Sequence, residues 1–136
     1  MPIYFFLLLL LLACQPNSLD DFQSEGASLA KSLVVDLRQI DSKEIFIETG
    51  PKVKRKIQKL TELMILAAKY QSKHLADTLV KENSDHYYSD LLLEEFKRIY
   101  AIQGCKEIME GLQRDSLHQL DAYLKSVQDP LNSPYE

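Results

Sequence analysis

The chain has 136 residues, 26% of them charged, with twenty acidic against sixteen basic side chains and a formal net charge of −4. An acidic balance argues against nucleic acid as the main partner, because phosphate backbones call for a basic surface. With no Trp, four Gly and abundant Leu, Glu, Lys and Gln, the composition favours helix.

Residues 3–13 are uninterrupted apolar sequence. That is the length of a signal-peptide hydrophobic region, about half of what a membrane-spanning helix needs. As a core helix it would have no polar face. The run closes on Leu11, Leu12, Ala13 and Cys14, followed by polar Gln15, Pro16, Asn17 and Ser18. This resembles the lipobox of a bacterial lipoprotein signal peptide. The resemblance implies export, cleavage between Ala13 and Cys14, a diacylglycerol thioether on Cys14, and in many bacteria an N-acyl chain. It departs from the pattern in one respect: Met1 to Phe6 carries no Lys or Arg. Gln15 stands where enterobacterial sorting uses Asp to retain lipoproteins in the inner membrane, so the resemblance favours outer-membrane delivery. The expected organisation is a signal peptide over 1–13, a lipidated tether over 14–18, a helical domain over 19–127 and a disordered tail over 128–136.

If Cys14 carries lipid, Cys105 is the only free thiol and no internal disulfide forms. Its apolar neighbours Tyr100, Ala101, Ile108 and Met109 mark it as a small buried hydrophobe.

In the mature chain, Ser18 with Asp21 three places on is a helix start. Leu19, Phe22, Gly26, Leu29, Leu33, Leu37 and Ile40 then form an apolar stripe over about 22 residues, with Asp36 and Arg38 on the polar side. Asp41 and Glu44 open a short helix through Ile45, Phe46 and Ile47, which Thr49-Gly50-Pro51 is expected to end. Val53, Ile57, Leu60, Met64, Ala67, Ala68, Gln71, Leu75 and Leu79 mark a long helix from Pro51, punctuated by Asn83-Ser84-Asp85. Tyr88, Leu91, Leu92, Phe96, Ile99 and Ile102 mark the next, which Gln103-Gly104 ends or weakens. The last stripe is Ile108, Met109, Leu112, Leu117, Leu120, Leu124 and Val127. Its register slips between Leu112 and Leu117, where Asp115 and Ser116 predict a kink and a fresh cap. Four main helices plus one short one predict an all-α, up-and-down antiparallel bundle. The order from Ser32 to Ile65, Leu-Arg-Gln-Ile, a turn, then Gly-Pro-Lys-Val-Lys, is similar to small helical lipoproteins of chlamydia-like bacteria. That likeness brings no functional residue with it.

Chemistry-bearing clusters are sparse. His74, His86 and His118 have acids nearby (Asp77, Glu82, Asp90, Asp115), but neither HExxH nor paired Glu-x-x-His segments occur, so no metal site is expected. Glu107 and Glu110 read as a solvated face. No Gly-rich phosphate loop, serine elbow or Cys–His pair can be assembled, so the chain is expected not to be an enzyme and to need no cofactor beyond its lipid. The densest charge is Lys52, Lys54, Arg55, Lys56 and Lys59. As a solvated face it would pair with Glu48 and Glu62. As a site it would grip anionic lipid or a sulfated glycan, at about 1 kcal/mol per cation near an anionic surface. At the start of a helix these cations would also oppose the dipole. Tyr87 is the more exposed of the Tyr87–Tyr88 pair and suits a protein contact. The expected role is a membrane-anchored, non-enzymatic protein that binds another envelope or host protein, with an adhesin built on Lys52–Lys59 as the alternative.

Overall fold

A computed structural model of the chain describes residues 18–74 and 87–129. The signal peptide, Cys14 and its tether, the Asn83–Asp85 turn, His86 and residues 130–136 of the tail lie outside the described residues. Among the described residues there are four helices and no strand: α1 (Leu19–Arg38), α2 (Lys43–Lys73), α3 (Tyr87–Tyr100) and α4 (Cys105–Gln128). The fold is all-α, and none of these helices is long and apolar enough to cross a membrane.

α1 starts where Ser18 takes an extended conformation and its Oγ accepts from Asp21 N at 3.2 Å. Of its expected apolar stripe, Phe22, Leu33, Leu37 and Ile40 are in the core beside Ala30 and Val34, while Leu19, Gly26 and Leu29 are partly buried. Asp36, expected on the polar side, is instead buried at 5% exposed, for a reason that lies in α2.

The separate short helix is not present. Ser42 caps a single helix that runs unbroken from Lys43 to Lys73 through Gly50 and Pro51. Pro51 removes one N–H, the partner that the Ile47 carbonyl would otherwise have, and the helix continues through it. Gly50 is buried because α4 comes close: a Cβ there would stand 3.8 Å from the Leu112 side chain. The Gly-Pro pair therefore marks a close helix contact, not a stop. The basic cluster consequently begins two turns inside α2, away from the positive end of its dipole.

α4 is also continuous. No new start occurs at Asp115–Ser116, and Ser116 is buried within the helix. Its apolar stripe divides there. Cys105 and Met109 are fully buried, whereas Leu117, Leu124 and Val127 are half exposed. On α2, Met64 departs from the expected core in the same way, at 53% exposed, and Thr61 is buried in its neighbourhood.

The helices sit at the corners of a square. α1 meets α2 and α3, α4 meets α2 and α3, and across the diagonals the backbones do not approach. Directions follow from the contacts. Arg98 near the end of α3 bonds the end of α1, and Lys54 early in α2 pairs with Asp115 in the first half of α4. Thus α1 lies parallel to α3 and α2 parallel to α4, while α1–α2 and α3–α4 are antiparallel hairpins. The connection from α2 to α3 crosses a diagonal, where an up-and-down bundle would step to an adjacent corner. Chain directions alternate as expected; the neighbours do not.

The two tight turns, 39–42 and 101–104, share one end. The first is held by Arg98, whose guanidinium donates to Ile40 O at 2.8 Å and Leu37 O at 2.6 Å, with Glu95 bracing it at 2.8 Å. This planar fork satisfies carbonyls that a helix end leaves open. The second turns on Gly104 at φ +80°, the left-handed region where a side chain is strained. Around this end lies the best-filled core: Leu37, Ile40, Phe46, Val53, Ile99, Cys105 and Met109.

Candidate functional site

Three of the five cations in the basic cluster pair with carboxylates of neighbouring helices. Lys56 and Lys52 reach from α2 to the buried Asp36 carboxylate of α1, Lys52 at 3.0 Å. Lys56 also donates to Ser32 Oγ at 2.6 Å and to Ser32 O at 3.4 Å. Burial of Asp36 works to raise its pKa. The hydrogen bonds and charges of Lys56 and Lys52 outweigh it and hold the group below its ordinary value. Lys54 pairs with Asp115 of α4 at 3.0 Å, which lowers that exposed carboxyl in turn. Arg55 and Lys59 are exposed, and among the described residues they have no carboxylate in salt-bridge range. The expected pairings with Glu48 and Glu62 do not form; the partners lie on the neighbouring helices instead. Nothing in the α1 sequence pattern marked Asp36 as their target. A signal was present in the spacing alone: Lys52 and Lys56 are four apart, as are Ser32 and Asp36, so each pair presents one face to the other.

The described histidines stand apart. His74 is exposed at the end of α2, stacked on Tyr70 with ring centroids 4.1 Å apart and its Nδ1 3.0 Å from Tyr70 O. His118 is exposed on α4. Among the described residues, no three His, Cys, Asp or Glu side chains gather in a metal-binding group. Glu107 and Glu110 are exposed, with Glu110 4.0 Å from Lys106. Tyr87 is 58% exposed and packs edge-on against the less exposed Tyr88, centroids 5.2 Å apart. Cys105 is a buried free thiol. Burial, and then the nearby Glu44 carboxylate, push its pKa up, which keeps it protonated and slow as a nucleophile.

Away from the tight turns the bundle loosens. A groove of about 910 Å³ opens between the first halves of α1 and α3, over Leu60 and Met64 of α2. Its α1 wall carries the small residues Gly26, Ala27 and Ala30 and its α3 wall Tyr88, Leu92, Leu93 and Phe96, with polar Asp20, Gln23, Ser24, Ser89 and Asp90 also lining it. A second cavity of about 160 Å³ lies among all four helices and shares Leu60, Met64, Leu92 and Phe96 with the groove. Ser116 lines it, and the Ser116 Oγ is buried without a hydrogen-bond partner. Neither space is signalled by the sequence pattern, in which Gly26 belongs to the apolar stripe of α1 and Ser116 resembles a cap.

Comparison with protein-family models, with characterised proteins and with solved structures returned no match.

Proposed function

We propose that the chain is a bacterial lipoprotein, held at a membrane through lipid on Cys14, whose helical domain binds another protein of the envelope or host without turnover. The observation that carries the reading is the apolar run over residues 3–13 ending in Leu11-Leu12-Ala13-Cys14. In that position a cysteine is the acceptor for diacylglycerol, and two or more acyl chains make a stable anchor where one does not. Outer-membrane delivery is part of the proposal and rests on Gln15. The half-exposed row Leu117, Leu124 and Val127 on α4 supports a binding role, being apolar surface repeated along one helix. A glycan- or lipid-gripping role for Lys52–Lys59 is less favoured, because Lys52, Lys54 and Lys56 already have carboxylate partners.

The test is intact mass of the protein extracted from membranes of an expressing bacterium. The expected mass is that of residues 14–136 plus a diacylglycerol thioether, with or without an amide-linked acyl chain. A Cys14→Ser variant is expected to keep its signal peptide and lose the lipid. Normal processing and membrane retention of that variant would refute the proposal.

A further inference from the structure

The geometry points to the loosened half of the bundle as a binding site for one neutral, single-chain lipid, its hydrocarbon body in the α1–α3 groove and a terminal oxygen on Ser116. The groove volume of about 910 Å³ lies within the roughly 300–1,000 Å³ of small-molecule sites. Its exposed wall area is mostly apolar, the only charged lining residues are Asp20 and Asp90 of the groove, and the smaller cavity has no charged side chain among its lining residues. That composition suits a chain with an uncharged end and penalises a buried carboxylate or ammonium.

Ser116 supplies the independent observation. Buried hydroxyls are nearly always bonded. Among the described residues, Thr49, Thr61, Ser72 and Ser126 show the usual helical solution, each donating to a carbonyl three or four residues earlier, at 2.6–2.9 Å. Ser116, at 3% exposed, does not, and its Oγ is left unpaired beside the cavity. Gln113, one turn earlier on α4 and also lining the cavity, adds an amide able to donate or accept. Together they can hold one hydroxyl or carbonyl oxygen. Met64 belongs to both spaces and is half exposed. Its unbranched side chain moves between rotamers easily and serves as the hinged wall through which the lipid threads from groove to cavity. The site is distinct from any lipid on Cys14 and does not depend on it.

The experiment is equilibrium dialysis of the full chain against radiolabelled 1-dodecanol, dodecane and laurate, each below its aggregation limit. Dodecanol is expected to bind one per chain, about 3- to 10-fold more tightly than dodecane, the worth of one buried hydrogen bond. Laurate is expected to bind more weakly than dodecanol. Ser116→Ala should bring dodecanol down to dodecane or below it and leave dodecane unchanged; its thermal melt, unchanged or raised, shows that it folds. Ala27→Trp, which puts an indole across the α1 wall of the groove, should sharply weaken one-site uptake of both. The proposal is overturned by equal affinity for alcohol and alkane, by a Ser116→Ala variant that keeps the difference, or by uptake undiminished by Ala27→Trp. It is equally overturned if neither probe saturates, the result expected were chain atoms already filling the groove.

Discussion

Replacing Asp36 with Asn removes a charge and almost no volume, and so isolates the electrostatic tie between α1 and α2. The carboxylate accepts from Lys52 at 3.0 Å and from Lys56, its own side chain only 7% exposed. Asn keeps one acceptor oxygen but turns an N–H₂ toward an ammonium. Removing one partner of a fully buried pair costs about 3–5 kcal/mol. The cost here is smaller. The Lys52 side chain is 57% exposed and rehydrates, while Lys56, at 21%, keeps Ser32. One lost charge-assisted bond and one weakened bond give about 2 kcal/mol, or roughly 10 °C in Tm for a domain of this size. The pH dependence carries the sharper signature. The folded-state pKa of Asp36 lies below its ordinary value, so its stabilisation is complete above the unfolded-state pKa near 4 and is lost as pH falls through the lower folded value. Urea melts followed by circular dichroism between neutral pH and about pH 3 should show the two proteins converging on the acid side. A loss under about 0.5 kcal/mol at neutral pH, or parallel acid limbs, would show that the lysines sit near Asp36 without stabilising the fold.

Other parts of the structure give equally direct expectations. Arg98→Lys should cost about 1–2 kcal/mol, since one ammonium cannot reproduce the fork on Leu37 O and Ile40 O; urea midpoints within error of wild type would disprove it. Gly104→Ala should destabilise by about 1–2 kcal/mol because its φ is +80°, whereas Gly111→Ala, with nothing within 4 Å of the added carbon in mid-helix, should stabilise by about 0.5–1 kcal/mol. Opposite signs in a pair of thermal melts are the outcome that matters. Cys105 should label with a thiol reagent only as fast as the protein opens, because it is buried and its pKa is raised; prompt stoichiometric labelling under native conditions would contradict that.

What could be read from the residues alone was whatever a single helix decides for itself. The Ser18 cap, the α1 stripe, the burial of Cys105 and the exposure of Tyr87 relative to Tyr88 depend on local spacing, and the structure shows them. Three readings failed where a neighbouring helix decides. Gly50-Pro51 has the composition of a stop, but α4 packs against the glycine and the helix passes through. Asp36 is polar and so reads as surface, until two lysines on another helix take it inward. Asp115-Ser116 resembles a cap, yet Asp115 pairs with Lys54 and Ser116 turns to the interior. The sequence period is also silent about which corner of the square a helix takes, so the diagonal step from α2 to α3 had no precursor signal. The groove arises where α1 and α3 separate, a property of pairs of helices that no stripe encodes.

The parallel pairing of α1 with α3 and of α2 with α4 gives the domain a polarity. Gln39–Ser42 and Ala101–Gly104 cap one pole, while Leu19, Lys73, Tyr87 and Gln128 all belong to the other. If the amino end is tethered as proposed, the pole with the two turns lies farther from the bilayer than the pole carrying Leu19, to which Asp20 and Tyr88 of the groove belong. On a chain anchored as proposed, a molecule leaving the lipid leaflet would meet the groove end of the bundle before the turns.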